Sequence, residues 1–282
     1  MKTRQHPQFG ACVELETGPM RAVISPALGM SLVAFTVGGV SVLDESRQLQ
    51  FLDIRKGLGP LILPHFGAAP FRPDADLGSI PHVARLKAIG VDDPFQHGVG
   101  RYSAWAIEAD GEKVRGTIDG NTRLAGIPLA DLEGFGFEAA VTYELDAEGL
   151  KIAFDLAGEK PVAGGIHFYY DLVTRQTARV ELSVEEAPAD DGVLRLDFRG
   201  AHNKGYHARG TQEYCTHRLT TDRYTLDTTV RVRGPASQTF DSVILFSPEG
   251  QQFACIEPLS YRHDGQNEKR AFQGTIRLTP RV

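Results

Sequence analysis

The run GGIHFYYDL, residues 164–172, places one histidine inside an aromatic, strand-like stretch. Side chains alternate faces along a strand. Ile166, Phe168, Tyr170 and Leu172 then share one face, and Gly165, His167, Tyr169 and Asp171 share the other. His167 so keeps hydrogen-bonding company, and an imidazole is the side chain that exchanges protons near neutral pH. Taken alone, a histidine there is more often a satisfied structural group. FACIEPLS, residues 253–260, supplies a carboxylate. Phe253, Cys255 and Glu257 share a face, and Pro258 is expected to end the strand, leaving Glu257 at a sheet rim. A carboxylate there can act as a base, or simply guard an edge strand against pairing. In QHGVGRYSAW, residues 96–105, His97 and Arg101 flank glycines that permit close approach of backbone to a ligand; a solvated loop is the plainer reading. In THRLTTDRYTLD, residues 216–227, Asp222 either binds a hydroxyl or closes an Asx turn.

Other chemistries leave no trace. There is no GxSxG elbow, no phosphate-binding P-loop and no HExxH, and GLGPLI and GFGFEA both lack the third glycine of a dinucleotide loop. The nine histidines are widely spaced, and no compact His/Cys/Asp group shows metal-ligand spacing. Neither a metal nor a cofactor is expected. Lys and Arg total 30 against 36 Asp and Glu, a formal net charge of -6. That balance argues against nucleic acid as a partner, which needs a basic footprint. It leaves room for a few arginines to grip a small anion.

The elements that must position these residues repeat every two residues. MSLVAFTV, FEAAVTYELD, LKIAFDLAG, ARVELSVEE, YTLDTTVRVRG and SVILFS are short, β-branched and aromatic-rich, and mostly alternate apolar with polar. ARLKAIGV and RYSAWAIEAD are read the same way. Gly-Gly at 38–39, Asp-Gly at 110–111 and DAEG at 146–149 sit where hairpin turns belong. RQLQFLDIRKG has room for a helical turn or two. These signals predict an all-β chain, folded as a large antiparallel β-sandwich in one domain over 1–282. From Gly57 to about Gly100 the chain is irregular and rich in Pro and Gly. Loops of that length are usually functional or disordered, and LIL and HFGAAPF argue against disorder.

The chain has 282 residues with 41% apolar and 23% charged, an ordinary globular balance. Cys12, Cys215 and Cys255 form no disulfide pattern, which suggests a reducing compartment. No signal peptide and no membrane-spanning run is legible. A soluble, cytoplasmic protein, monomer or homodimer, is expected.

Taken in order, HGxxR, HxYY, TDRY and a late IEP resemble the aldose 1-epimerase (galactose mutarotase) family. The resemblance runs from the LxD region near Leu43 to AFQGTIRLTP. DIRKGLGPLILPHFGAAP followed by PFQHGVGRYSAW is most similar to the glucose-6-phosphate 1-epimerases within it. The resemblance implies a β-sandwich mutarotase needing no cofactor and acting on a hexose or hexose 6-phosphate. It implies Glu257 as base and His167 as acid, His97 near the ring oxygen and Asp222 on ring hydroxyls. Arg55 and Arg101 would face a phosphate, and Trp105 or Phe66 would offer the sugar an apolar platform if not spent on packing. His65 replaces the usual Gln of that subgroup, and Lys56 and Leu58 interrupt its Gly-Gly turn. The tail EPLSYRHDGQNEKR reads more like the free-sugar branch. A non-catalytic sugar-binding protein, or a carbohydrate hydrolase or lyase, remains open on the same residues.

Overall fold

The alternation decides which side of each strand is buried. Along the Phe137–Asp146 strand, Phe137, Ala139, Val141, Tyr143 and Leu145 are buried while Glu138 is exposed. The structure, a computed structural model, describes residues 2–74, 76–188, 191–209, 213–232, 240–261 and 268–282. All of its strand pairs are antiparallel.

Lys2–His6, Gly10–Thr17, Met20–Ser25, Ser31–Val37 and Val40–Ser41 form a five-stranded sheet in chain order. A nine-stranded sheet is centred on Ala271–Arg281, which lies between Thr225–Val232 and Gly149–Gly158. The third sheet has six strands. Its path runs His202–His207, Ser242–Ser247, Phe253–Leu259, Gly165–Ile166, Leu61–Ile62, and Tyr169–Asp171 also pairs with Phe253–Leu259. One apolar cluster joins them. Phe35, Ile276 and Ile166, one from each sheet, are all 0% exposed. This is the predicted all-β, antiparallel architecture.

Local differences have local causes. ARLKAIGV is not a strand, because Pro81–Ala88 is an α-helix. Pro81 fits the first helical turn, and His82 and Leu86, four residues apart, are its buried face. In RYSAWAIEAD a 3-10 turn occupies Val99–Tyr102, and the strand is only Ala106–Asp110. Asp110 pairs with Lys113, so the hairpin loop is Gly111–Glu112, one residue later than expected. RQLQFLDIRKG holds the α-helix Gln48–Ile54. The strand expected to stop at Pro258 continues to Leu259, with every residue buried. Among the described residues no helix is long and apolar enough to cross a membrane.

Two interior histidines matter for stability. His82 stacks on Tyr102 with ring centroids 4.2 Å apart and donates from Nε2 to the Pro94 carbonyl at 2.9 Å. Burial lowers it from 6.5 to about 4. Burial lowers the fully enclosed His217 to about 3. Between 6.5 and these values the unfolded chain binds more protons than the folded one, so stability must fall as pH falls. Chemical denaturation between pH 7 and 4 should show that loss, and His82→Gln should flatten it. An unchanged slope in that variant would remove His82 from the account.

Candidate active site

Register brings His167 and Glu257 together. Gly165 opposes Leu259 and Tyr169 opposes Cys255, so His167 lies across from Glu257. Their side chains touch, with His167 Nε2 3.0 Å from Glu257 Oε1. Both are buried, at 8% and 2% exposure. His167 leaves the ladder on this edge and donates its backbone N–H to the Pro60 carbonyl at 3.0 Å. The alternation expected for GGIHFYYDL holds. Ile166, Phe168, Tyr170 and Leu172 are 0% exposed in the core. Tyr169, on the polar side, has its ring 5.1 Å from that of His167. Gly165 is needed here because a Cβ would lie 2.5 Å from the Pro258 carbonyl oxygen.

His97 reaches the same place from the 57–100 segment. Its ring centroid is 5.2 Å from that of His167. The Gly67 N–H donates to His97 Nδ1 at 3.1 Å, and the His97 N–H donates to the Gly67 carbonyl at 2.8 Å. His97 is held well below its ordinary 6.5, first by burial and then by the charges of Arg101, His167, His65 and Lys56. A neutral ring that accepts at Nδ1 carries its proton on Nε2. It is therefore a donor. Phe66 lies between His97 and Tyr261, with centroids 5.0 and 5.2 Å away. That partly exposed ring is the apolar surface beside the histidines.

Arg101 is 1% exposed and donates from Nε to the Leu61 carbonyl at 3.1 Å. Burial lowers its pKa, and the charge of Glu257 is among the groups that oppose this. It is a buried cation behind the pair. Lys56 is half-buried and is lowered by burial and then by Arg101. Cys255 is pushed well up by burial, with Glu257 adding to the shift. His167, Cys255 and Glu257 each offer one donor atom, all within 4.8 Å of one another. They are the residues that could hold a soft divalent ion. Nothing backs the outer nitrogen of His167, however, as an acceptor normally backs a metal-bound histidine. The arrangement suits proton exchange better.

Other expected site residues are engaged elsewhere. Arg55 donates from Nη1 to the carbonyls of Phe51 and Leu52, at 3.1 and 2.7 Å, and so caps its own helix. Trp105 is 6% exposed, belongs to the core and donates from Nε1 to the Gly100 carbonyl at 2.9 Å. Asp222 is exposed in a turn, where it accepts from Thr177 Oγ1 at 2.7 Å. Asp171 is raised by burial, and its carboxylate accepts from the Val173 N–H at 2.8 Å. Residues 262–267 of the tail EPLSYRHDGQNEKR lie outside the described residues. Two members were not foreseen. Tyr261 had no motif, and the pair of His65 Nδ1 with Glu133 joins residues 68 apart in sequence.

No family model matches the chain, and no curated relative matches it by sequence. Solved structures do match in shape. A galactose mutarotase-like protein from Clostridium acetobutylicum superposes with a TM-score of 0.67 at 13% identity, covering 96% of this chain and 95% of the other. The fold is that of the galactose mutarotases. An aldose epimerase homologue from C. elegans matches at 0.63 with 14% identity over 96% and 98% of the two chains. A protein from Synechocystis matches at 0.68 with 16% identity over 95% of each. In this mutarotase-like fold Glu257 stands on the Phe253–Leu259 strand, and His167 lies in the break between Gly165–Ile166 and Tyr169–Asp171 that faces it.

Gly98 fixes the His97 loop. Its φ is 94°, and an added Cβ would lie 1.8 Å from the Leu63 carbonyl oxygen. Gly98→Ala should cost at least about 1–3 kcal/mol in denaturant unfolding. A variant as stable as the parent would show that the loop can relax freely.

Proposed function

We propose that the chain is a mutarotase, interconverting the α and β anomers of a hexose or hexose 6-phosphate by acid–base ring opening. The observation that carries this reading is the 3.0 Å contact between His167 and Glu257. Ring opening needs a base at the O1 hydroxyl and an acid at the ring oxygen. Glu257 takes the O1 proton, the O1–H electron pair forms the C1 carbonyl, and the C1–ring-oxygen bond breaks. His167 delivers a proton to the departing ring oxygen. Rotation about C1–C2 and reclosure with the roles exchanged gives the other anomer. No redox step or group transfer occurs. His97 donates from Nε2 and orients the sugar, and Phe66 meets its apolar face. Glu257 is paired with an imidazole rather than a second carboxylate, which disfavours the usual hydrolase arrangement.

Charge favours an anionic sugar. Arg101 and Lys56 both lie near enough to act on His97, which puts two cations close to the site. Arg55 is engaged on its helix and Arg101 is enclosed, so of these three cations Lys56 would be the one to meet a phosphate.

Anomer exchange followed by NMR across free hexoses and their 6-phosphates tests the reading. Glu257→Gln should lower the exchange rate by about 10²–10⁴-fold with an unchanged circular-dichroism spectrum. No acceleration by the wild-type chain with any of these sugars would sink the assignment. Lys56→Met should raise KM for the 6-phosphate and leave that of the free hexose nearly unchanged. An equal effect on both removes the phosphate.

A further inference from the structure

The mechanism leaves one buried polar pair unused. His65 Nδ1 is hydrogen-bonded to Glu133 Oε1, and the two side chains are 9% and 0% exposed. Glu133 comes from the short helix Leu129–Glu133, and its other oxygen accepts from the Val99 N–H at 3.4 Å. It thereby ties that helix to both loops of the cleft. His65 directly precedes Phe66 and Gly67, the residues that contact the His97 ring. The charge of His65 is felt at His97. Yet His65 Nε2 is buried and has no hydrogen-bond partner. Leaving a buried polar atom unmet lowers stability. A carboxylate behind a histidine fixes the ring's orientation and tautomer, which is how proteins aim the opposite nitrogen.

We infer that His65, held by Glu133, is a specificity-determining residue that hydrogen-bonds one ring hydroxyl of the sugar. The inference rests on the mutarotase reading. A hydroxyl is chosen because it suits either state of Nε2. The neutral ring, with its proton on Nδ1 toward Glu133, accepts from the hydroxyl. The imidazolium donates to the hydroxyl oxygen. An anionic group would suit only the second state. Glu133 is a positioning residue and touches no sugar.

Two measurements test it on the full chain. The first is KM and kcat for a hexose and its monodeoxy analogues. Wild type should reject one deoxy analogue by a KM about 10- to 100-fold above that of the parent sugar. His65→Ala should raise KM of the parent by a similar factor, erase the discrimination against that analogue, and change kcat far less. Glu133→Gln, which keeps an acceptor for Nδ1, should retain most of the discrimination, whereas Glu133→Ala should lose it. The second is the dissociation constant of the matching 1,5-anhydrohexitols, which carry the ring hydroxyls but cannot mutarotate. The same variants should show the same pattern. An unchanged parent KM in His65→Ala, or equal losses for every analogue, overturns the role of His65. A wild type that binds the anhydrohexitols but exchanges no hexose sinks the mutarotase reading while leaving the His65 comparison readable. Binding of no sugar at all overturns both.

Discussion

A strand pair sets two side chains against each other at one register only. Here the pairing of residues 165–171 with Phe253–Leu259 puts His167 opposite Glu257. A slip of one residue would turn His167 into the core and Phe168 out of it. The fold resists that slip from behind. Ile166, Phe168, Tyr170 and Leu172 are all 0% exposed. Burying such side chains contributes roughly 1.5–3 kcal/mol each. Exposing four of them would cost about as much as the whole stability of an ordinary domain, about 5–15 kcal/mol. The apolar face thus fixes the polar one, and the chemistry inherits its geometry from packing.

The legible part of the site was the part that rests on this alternation. The GGIHFYYDL stretch already assigned His167 and Tyr169 to one side, because period-two patterning is local. Glu257 was legible as a residue but not as a position. Pro258 reads as a strand end because it has no N–H to give. Yet the strand passes through it to Leu259. The facing chain instead leaves the ladder at His167 and Phe168, just after the residue opposite Pro258. Asp222 and Arg55 mark a different limit. A carboxylate in a turn and a carboxylate on a ligand look alike in one dimension, and what separates them is Thr177, 45 residues away. His65 was legible only as a departure from a motif, and its pairing with Glu133, 68 residues away, left no local signal.

Charge in the cleft is balanced rather than absent. A wholly buried guanidinium is costly unless a counter-charge and hydrogen bonds offset its desolvation. Arg101 has the Leu61 carbonyl at its Nε and the field of Glu257. Removing Glu257 therefore changes more than a base. It also removes a charge that supports the buried cation; an isosteric amide loses that charge too, but keeps the shape and hydrogen-bonding capacity that a truncation would lose.

Buried polar atoms also separate framework from function. Arg175 is 4% exposed, and its two Nη atoms are spent on Ser247 Oγ, the Gln251 carbonyl and the Gly200 carbonyl. It staples loops, although its Nε is buried without a partner, so an unmet atom does not by itself mark a ligand site. His65 and His167 differ. Each has one ring nitrogen held by a glutamate and the other buried without a partner. His97 is also anchored at one ring nitrogen, by a backbone donor in place of the carboxylate. Each unmet group lowers stability. Three imidazoles, each anchored at one nitrogen, thus gather in one place, with His97 near enough to His65 and His167 to feel their charge.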